Sequence, residues 1–159
     1  MAVTSDIGES WRRPRVVFRR KLGEGLHEGR LLAILLGACG LIYVAQWPRL
    51  ARASQLDPSV PLDARMAITL FALLFVAPLL FYALATISHW LAQTLGGKAT
   101  AAAARLALFW ALLVVSPLML LQGLLSGFLG ATPAVTGVGV GVLLAFLVLW
   151  GNMLYEAER

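Results

Sequence analysis

Apolar residues dominate this chain in long runs, and the runs are set off by clustered charges rather than by alternation. Between Arg30 and Arg49 lie 18 residues without a charge, between Arg65 and Lys98 lie 32, and between Arg105 and Glu156 lie 50. A helix rises about 1.5 Å per residue and the hydrocarbon core of a bilayer is about 30 Å thick, so one crossing takes roughly 20 residues. The first run therefore fits one span, the second a span and part of a loop, and the third two spans with a turn. Pro and Gly break helices most strongly, which puts that turn at Gly130-Ala131-Thr132-Pro133. The pattern predicts four helices at about 31–47, 66–90, 106–129 and 134–155. Pro78 and Pro117 fall inside the second and third and predict kinks, tolerated where neighbouring groups satisfy the freed carbonyls. The Val-Gly alternation over 135–142 looks strand-like, but an isolated strand in lipid leaves its backbone unsatisfied. The expected fold is all-α, a four-span transmembrane bundle (residues 31–159) preceded by a basic amphipathic arm (residues 1–30).

Composition removes the competing classes. Of 159 residues, 60 % are hydrophobic and 13 % charged, against about 25 % charged in a typical soluble domain. So few charges cannot coat a small water-soluble fold. The single cysteine, Cys39, cannot form an intramolecular disulfide or a multi-cysteine zinc site. Leu36-Gly37-Ala38-Cys39 loosely resembles a lipoprotein box, but only eight apolar residues precede Cys39 and three more spans follow. A buried cysteine in the first helix is the expectation, as is an uncleaved N-terminus.

Charge also orients the chain. The arm holds Arg12, Arg13, Arg15, Arg19, Arg20, Lys21 and Arg30. With four spans it shares a side with Lys98, Arg105 and Arg159, ten basic residues in all; the other side has Arg49, Arg52 and Arg65. The positive-inside rule then places both termini in the cytoplasm, and the expected location is a bacterial cytoplasmic membrane. Trp47, Trp90, Trp150 and Tyr155 stand near helix ends, as an aromatic belt requires.

Within the arm, Ser5 or Asp6 is suited to cap a short helix, and Pro14 to start a second. Ile7 and Trp11 share one face; Phe18 and Leu22, with Val17, share another. A basic helix with aromatic residues on its apolar side reads as an in-plane segment on an anionic leaflet. The expected membrane-surface residues are Trp11, Arg12, Arg13, Arg15, Phe18, Arg19, Arg20 and Lys21. The plainer alternative is that these arginines only set topology. Nucleic-acid binding is not expected, because Trp11 and Phe18 adjoin a membrane span.

No catalytic constellation is legible. His27 and His89 are the only histidines, with no third ligand to complete a metal or haem site, so neither metal nor cofactor is expected. Ser88 and His89 are neighbours and point about 100° apart on a helix. Ser126-Gly127 lacks the preceding glycine of an intramembrane serine protease. Gly96-Gly97-Lys98 lacks the upstream glycine and strand of a phosphate-binding loop; Gly96-Gly97 instead suits a helix C-cap. Intramembrane charge, expected of a transporter, is missing from the 50-residue run, where Gln122 is the deepest polar side chain. Small residues are the stronger signal. Gly123 and Gly127 recur every four, as do Gly137 and Gly141, with Gly139 on another face. Such stripes let helices approach closely in lipid. Gly137 and Gly141 are expected to pack inside the bundle and Gly139 to meet a partner, either another membrane protein or a second copy.

Three stretches together resemble the Yip1-domain family: Trp11-Arg-Arg-Pro14 opening the arm, the turn Leu95-Gly96-Gly97-Lys98-Ala99-Thr100, and the proline-containing helix Leu106–Leu125 with Ser116-Pro117. The resemblance implies a small multi-span α-helical protein. The chain departs from the family in having four spans where five are usual, and Ala99 where a glycine is usual. No reaction or catalytic residue follows from it, and the Rab contacts of eukaryotic members do not carry over. The expected function is a non-enzymatic scaffold or accessory subunit; the alternative is a small transporter or channel component.

Overall fold

The computed structural model describes residues 2–159, nearly all of them helical, and among them there is no strand. Two short helices, α1 (Val3–Arg12) and α2 (Pro14–Gly23), precede α3 (Glu28–Leu56). A discontinuous second crossing follows: α4 (Leu62–Phe71), a π-helical turn (Ala72–Val76) and α5 (Ala77–Thr94). Then come α6 (Ala101–Leu129) and α7 (Pro133–Glu158). Four helices, counting Leu62–Thr94 as one, are long and apolar enough to cross a membrane.

The bundle is built around α6. Half of its most apolar stretch is buried, against 6 % for the Leu62–Thr94 crossing. Buried residues from Leu106 to Val115 of α6 meet Leu31, Leu35, Ala38, Cys39 and Ile42 of α3, and Val142, Leu149 and Met153 of α7 close the other side. The exposed faces of α4, the π turn, α5 and α7 carry Ile68, Phe75, Leu79, Ile87, Leu144 and Val148, the surface a bilayer covers at no hydrophobic cost.

Prolines act differently at three places. The first helix was expected to end at Trp47, before Pro48; instead α3 runs through Pro48 to Leu56. At Pro78 the strain is taken up by the π turn just before it, where Ala77 N–H donates to Ala72 C=O, five residues back, as such bulges do. At Pro117 the missing N–H strands the carbonyl of Leu113. The buried Ser116 hydroxyl donates to that carbonyl at 2.6 Å, the repair that lipid demands.

The loops follow local chemistry. Gly96 has φ 89°, a conformation that glycine adopts without strain. Its N–H donates to Gln93 C=O at 3.0 Å and that of Gly97 to Ala92 C=O at 2.9 Å, the paired bonds of a Schellman cap. At the opposite end Gly130 (φ 72°) closes α6, and Thr132 accepts from Val135 N–H to cap α7 with Pro133 in its first turn. α1, by contrast, starts at Ala2 with no side-chain cap: Asp6, read from sequence as a cap, turns inward.

Candidate functional site

The arm, the 95–100 turn and the C-terminus meet at one end of the bundle, and acid–base pairs tie them together. Asp6 and Ser10, one turn apart on α1, face inward and are fully buried. Asp6 Oδ1 accepts from Arg20 Nη1 at 3.1 Å, and its Oδ2 lies 2.5 Å from Lys21 Nζ. Hydrogen bonding and proximity to Lys21 outweigh the cost of burial and hold the Asp6 carboxyl below its usual value. Ser10 Oγ donates to Asp6 C=O at 2.7 Å and accepts from Trp110 Nε1 at 3.0 Å. Lys21 Nζ stands 4.9 Å from the Trp110 ring centroid, within cation–π range. Trp110 of α6 is thus a socket that grips both arm helices.

α2 lies along the end of α7. Arg15 Nη2 donates to Asn152 Oδ1 at 3.0 Å and its guanidinium stands 5.1 Å from the Tyr155 ring centroid. One turn later Arg19 pairs with Glu156. Arg20 also pairs with Glu9 at 3.0 Å, Arg30 with Glu24, and Arg105 with Glu28. Glu158 accepts from Ala99 N–H at 3.0 Å and lies over Gly97, where a Cβ would collide with its carboxylate. Every acid at this end, from Asp6 to Glu158, is engaged in holding one element to another.

This geometry redistributes the residues singled out for the membrane surface. Phe18 and Val17 are fully buried and Lys21 nearly so, so the apolar side of α2 faces the bundle, not a bilayer. Arg20 is half-buried in the Asp6 cluster. Trp11, Arg12, Arg13, Arg15 and Arg19 remain exposed; Arg12 and Arg13, with Gly8 and Glu9, line a shallow surface concavity.

The glycines also divide. A Cβ on Gly123 or Gly127 would collide with the backbone of Ala45 or Pro48 on α3. One on Gly139 would come within 2.6 Å of Gln122 Nε2, so Gly139 makes the α6 contact. Around Gly137 and Gly141 there is nothing within 4 Å. The expectation that the 137/141 stripe packs internally and Gly139 faces outward is therefore reversed. His89 is buried with Nδ1 unpartnered and His27 is exposed; among the described residues no three His, Cys, Asp or Glu side chains converge.

Sequence reasoning missed Asp6, Ser10 and Trp110 as a unit. The usable signal was a tryptophan one turn inside a span, away from the interfacial belt, and an acid and a serine four residues apart in an otherwise basic arm.

A multi-span helical bundle with an amphipathic arm docked at one end defines the class. Residues 8–158 match the Yip1 domain, and the chain belongs to that family. Comparisons with curated proteins and with solved structures gave no match.

Proposed function

We propose that the protein is a non-enzymatic scaffold or accessory subunit of a membrane, most simply a bacterial cytoplasmic membrane, with both termini on the cytoplasmic side. The observation that carries this reading is the docked arm. Its buried face is spent on Trp110, with Arg15 and Arg19 holding α2 to α7, and Trp11, Arg12 and Arg13 stay exposed. A fixed strip of cations at the level of the headgroups suits anionic lipid, at about 1 kcal/mol per basic residue near the surface, and the acidic surface of a membrane partner. The ten-to-three Lys/Arg asymmetry supports the orientation. The outward space at Gly137 and Gly141 suits close approach by a helix of another protein or of a second copy.

The test is mild-detergent purification of the full chain from its native membrane, with identification of co-eluting membrane proteins. Wild type should bring down a stoichiometric partner, and the combined Arg12→Gln, Arg13→Gln variant should recover less of it. Solute flux through liposomes holding only this chain would contradict the reading and favour a transporter.

A further inference from the structure

At the end of the bundle away from the arm, Arg52 is partly buried and held in place with one edge of its guanidinium unused. It follows Arg30 on α3 by 22 residues, about 33 Å along the axis, slightly more than a bilayer core about 30 Å thick. It therefore stands at the headgroup level of the leaflet opposite the arm. Its Nη1 donates to the carbonyls of Gly127 and Phe128, each at 3.3 Å. A Cβ on Gly130 would lie 2.8 Å from Nη2 and 3.0 Å from both Nε and Cζ. A point beyond the edge of the guanidinium would be farther from Cζ than from the two nitrogens, so these nearly equal distances put Gly130 against its flat face. The Nε–Nη2 edge stays clear and makes no hydrogen bond, and among the described residues no carboxylate pairs with Arg52. Beside it opens a hollow of about 330 Å³, lined by Pro48, Ala51, Arg52, Gln55, Gly127 and Phe128.

We propose that this hollow is a phosphate site, with the Nε–H and Nη2–H fork of Arg52 on two phosphate oxygens and the exposed Gln55 amide as a further donor. A guanidinium has five N–H donors. The two carbonyls occupy Nη1, which leaves Nε and Nη2, the parallel pair that grips an oxyanion in bidentate fashion. The carbonyls and Gly130 fix the direction of that pair before any anion arrives, so little ordering cost remains on binding. The lining holds no acid to compete. Other cations at this end lack the combination: Arg65 is paired with Asp57 at 3.2 Å, and the guanidinium of Arg49 meets only Gln46. Depth selects among oxyanions, because phosphate is the anion a phospholipid leaflet presents at the headgroup level. A phospholipid headgroup and a soluble phosphate share this chemistry, and the test separates them. The inference rests on the chain spanning a bilayer and is independent of the scaffold reading.

The full chain, with isotope-labelled arginine nitrogens, is delipidated into a sugar detergent that carries no phosphate. The Arg52 Nε–H resonance is identified by its absence from Arg52→Gln and followed by NMR. Short-chain phosphatidylglycerol should move it and the movement should saturate, whereas diacylglycerol of the same chain length should leave it in place. Glycerol phosphate separates the sources. A response at least about tenfold weaker than that to the lipid assigns the site to a headgroup, and an equal response assigns it to a soluble phosphate. Gln55→Leu, which touches none of the bonds that hold Arg52, should raise the half-saturating concentration about fivefold, the loss of one hydrogen bond. Arg49→Gln should not change it. Movement that is absent or unsaturable with both phosphates, or equal with diacylglycerol, would overturn the site, and an unchanged titration in Gln55→Leu would overturn the part given to Gln55.

Discussion

Gly123 of α6 lies against the backbone carbonyl of Ala45 on α3, so closely that no Cβ fits between them. The same register continues to Gly127 beneath Pro48 and, at the other end, to the Arg105–Glu28 pair, so the two helices run side by side and parallel along their length. Because lipid tails are as apolar as leucine, such contact is a main source of helix association in a membrane. Gly123→Ala is expected to destabilise the bundle by about 1–3 kcal/mol, the usual cost of overpacking. Gly137→Ala and Gly141→Ala, with open space around them, should be neutral or stabilising by up to about 1 kcal/mol through helix propensity. Thermal unfolding of the three variants in one detergent checks the order.

Removing the Asp6 charge should release the arm. Asp6→Asn leaves Lys21 buried with only Glu24, at 3.6 Å, to face it, and breaking a buried pair from one side costs about 3 kcal/mol. The sites to watch are Arg20 and Lys21, which trypsin should cut readily in the variant and slowly in wild type. The pH dependence has a definite sign. The Asp6 carboxyl is held below its ordinary value of 3.8, so its contribution is fully present above that value and is lost as pH falls through the lower folded value. Wild-type resistance should therefore be flat with respect to this group from pH 5 to pH 8 and fail only in stronger acid, which pepsin digestion reads.

Arg52 should matter although it lies on the side of the bundle away from the arm. Its Nη1 donates to the carbonyls of Gly127 and Phe128, each at 3.3 Å, and a cation at a helix C-terminus is favourable by about 0.3–1 kcal/mol. Arg52→Gln is expected to lower stability by that order and to speed hydrogen exchange over 127–130. Arg49→Gln, whose guanidinium meets only Gln46, should leave exchange there unchanged.

Reporter fusions after Gln55 and after Arg159 should report opposite sides of the membrane, with Arg159 cytoplasmic. A reporter at Arg159 on the far side would mean inverted insertion.

The four crossings were legible because charge is excluded from long runs and because Gly96 and Gly130 sit where helices must stop. The extent of α3 was not. Pro48 reads locally as an end, yet Gly127 gives its ring room and α6 supports the helix beyond it, a tertiary effect that no local signal carries. The arm's amphipathicity was legible, but which surface its apolar face meets was not. A bilayer and a protein groove are equally apolar to Phe18, and what distinguishes them is the Trp110 indole N–H inside a span, which finds its acceptor in Ser10 of the arm and would be left unpaired in lipid. For the glycines, spacing gave two faces of α7 without saying which of them looks at α6; Gln122 decides it by lying over Gly139.

The central claim is that the arm is clipped to the bundle and does not float on the lipid. In a Cys39→Ser background, Arg19→Cys and Glu156→Cys replace a pair in direct contact. A short bismaleimide is added to native membranes, the chain is cut in the 57–61 loop, and the fragments are separated under denaturing conditions. The account predicts that most chains stay joined, and that Arg12→Cys with Glu156→Cys does not join them. Full modification of both cysteines with no link between fragments would contradict it.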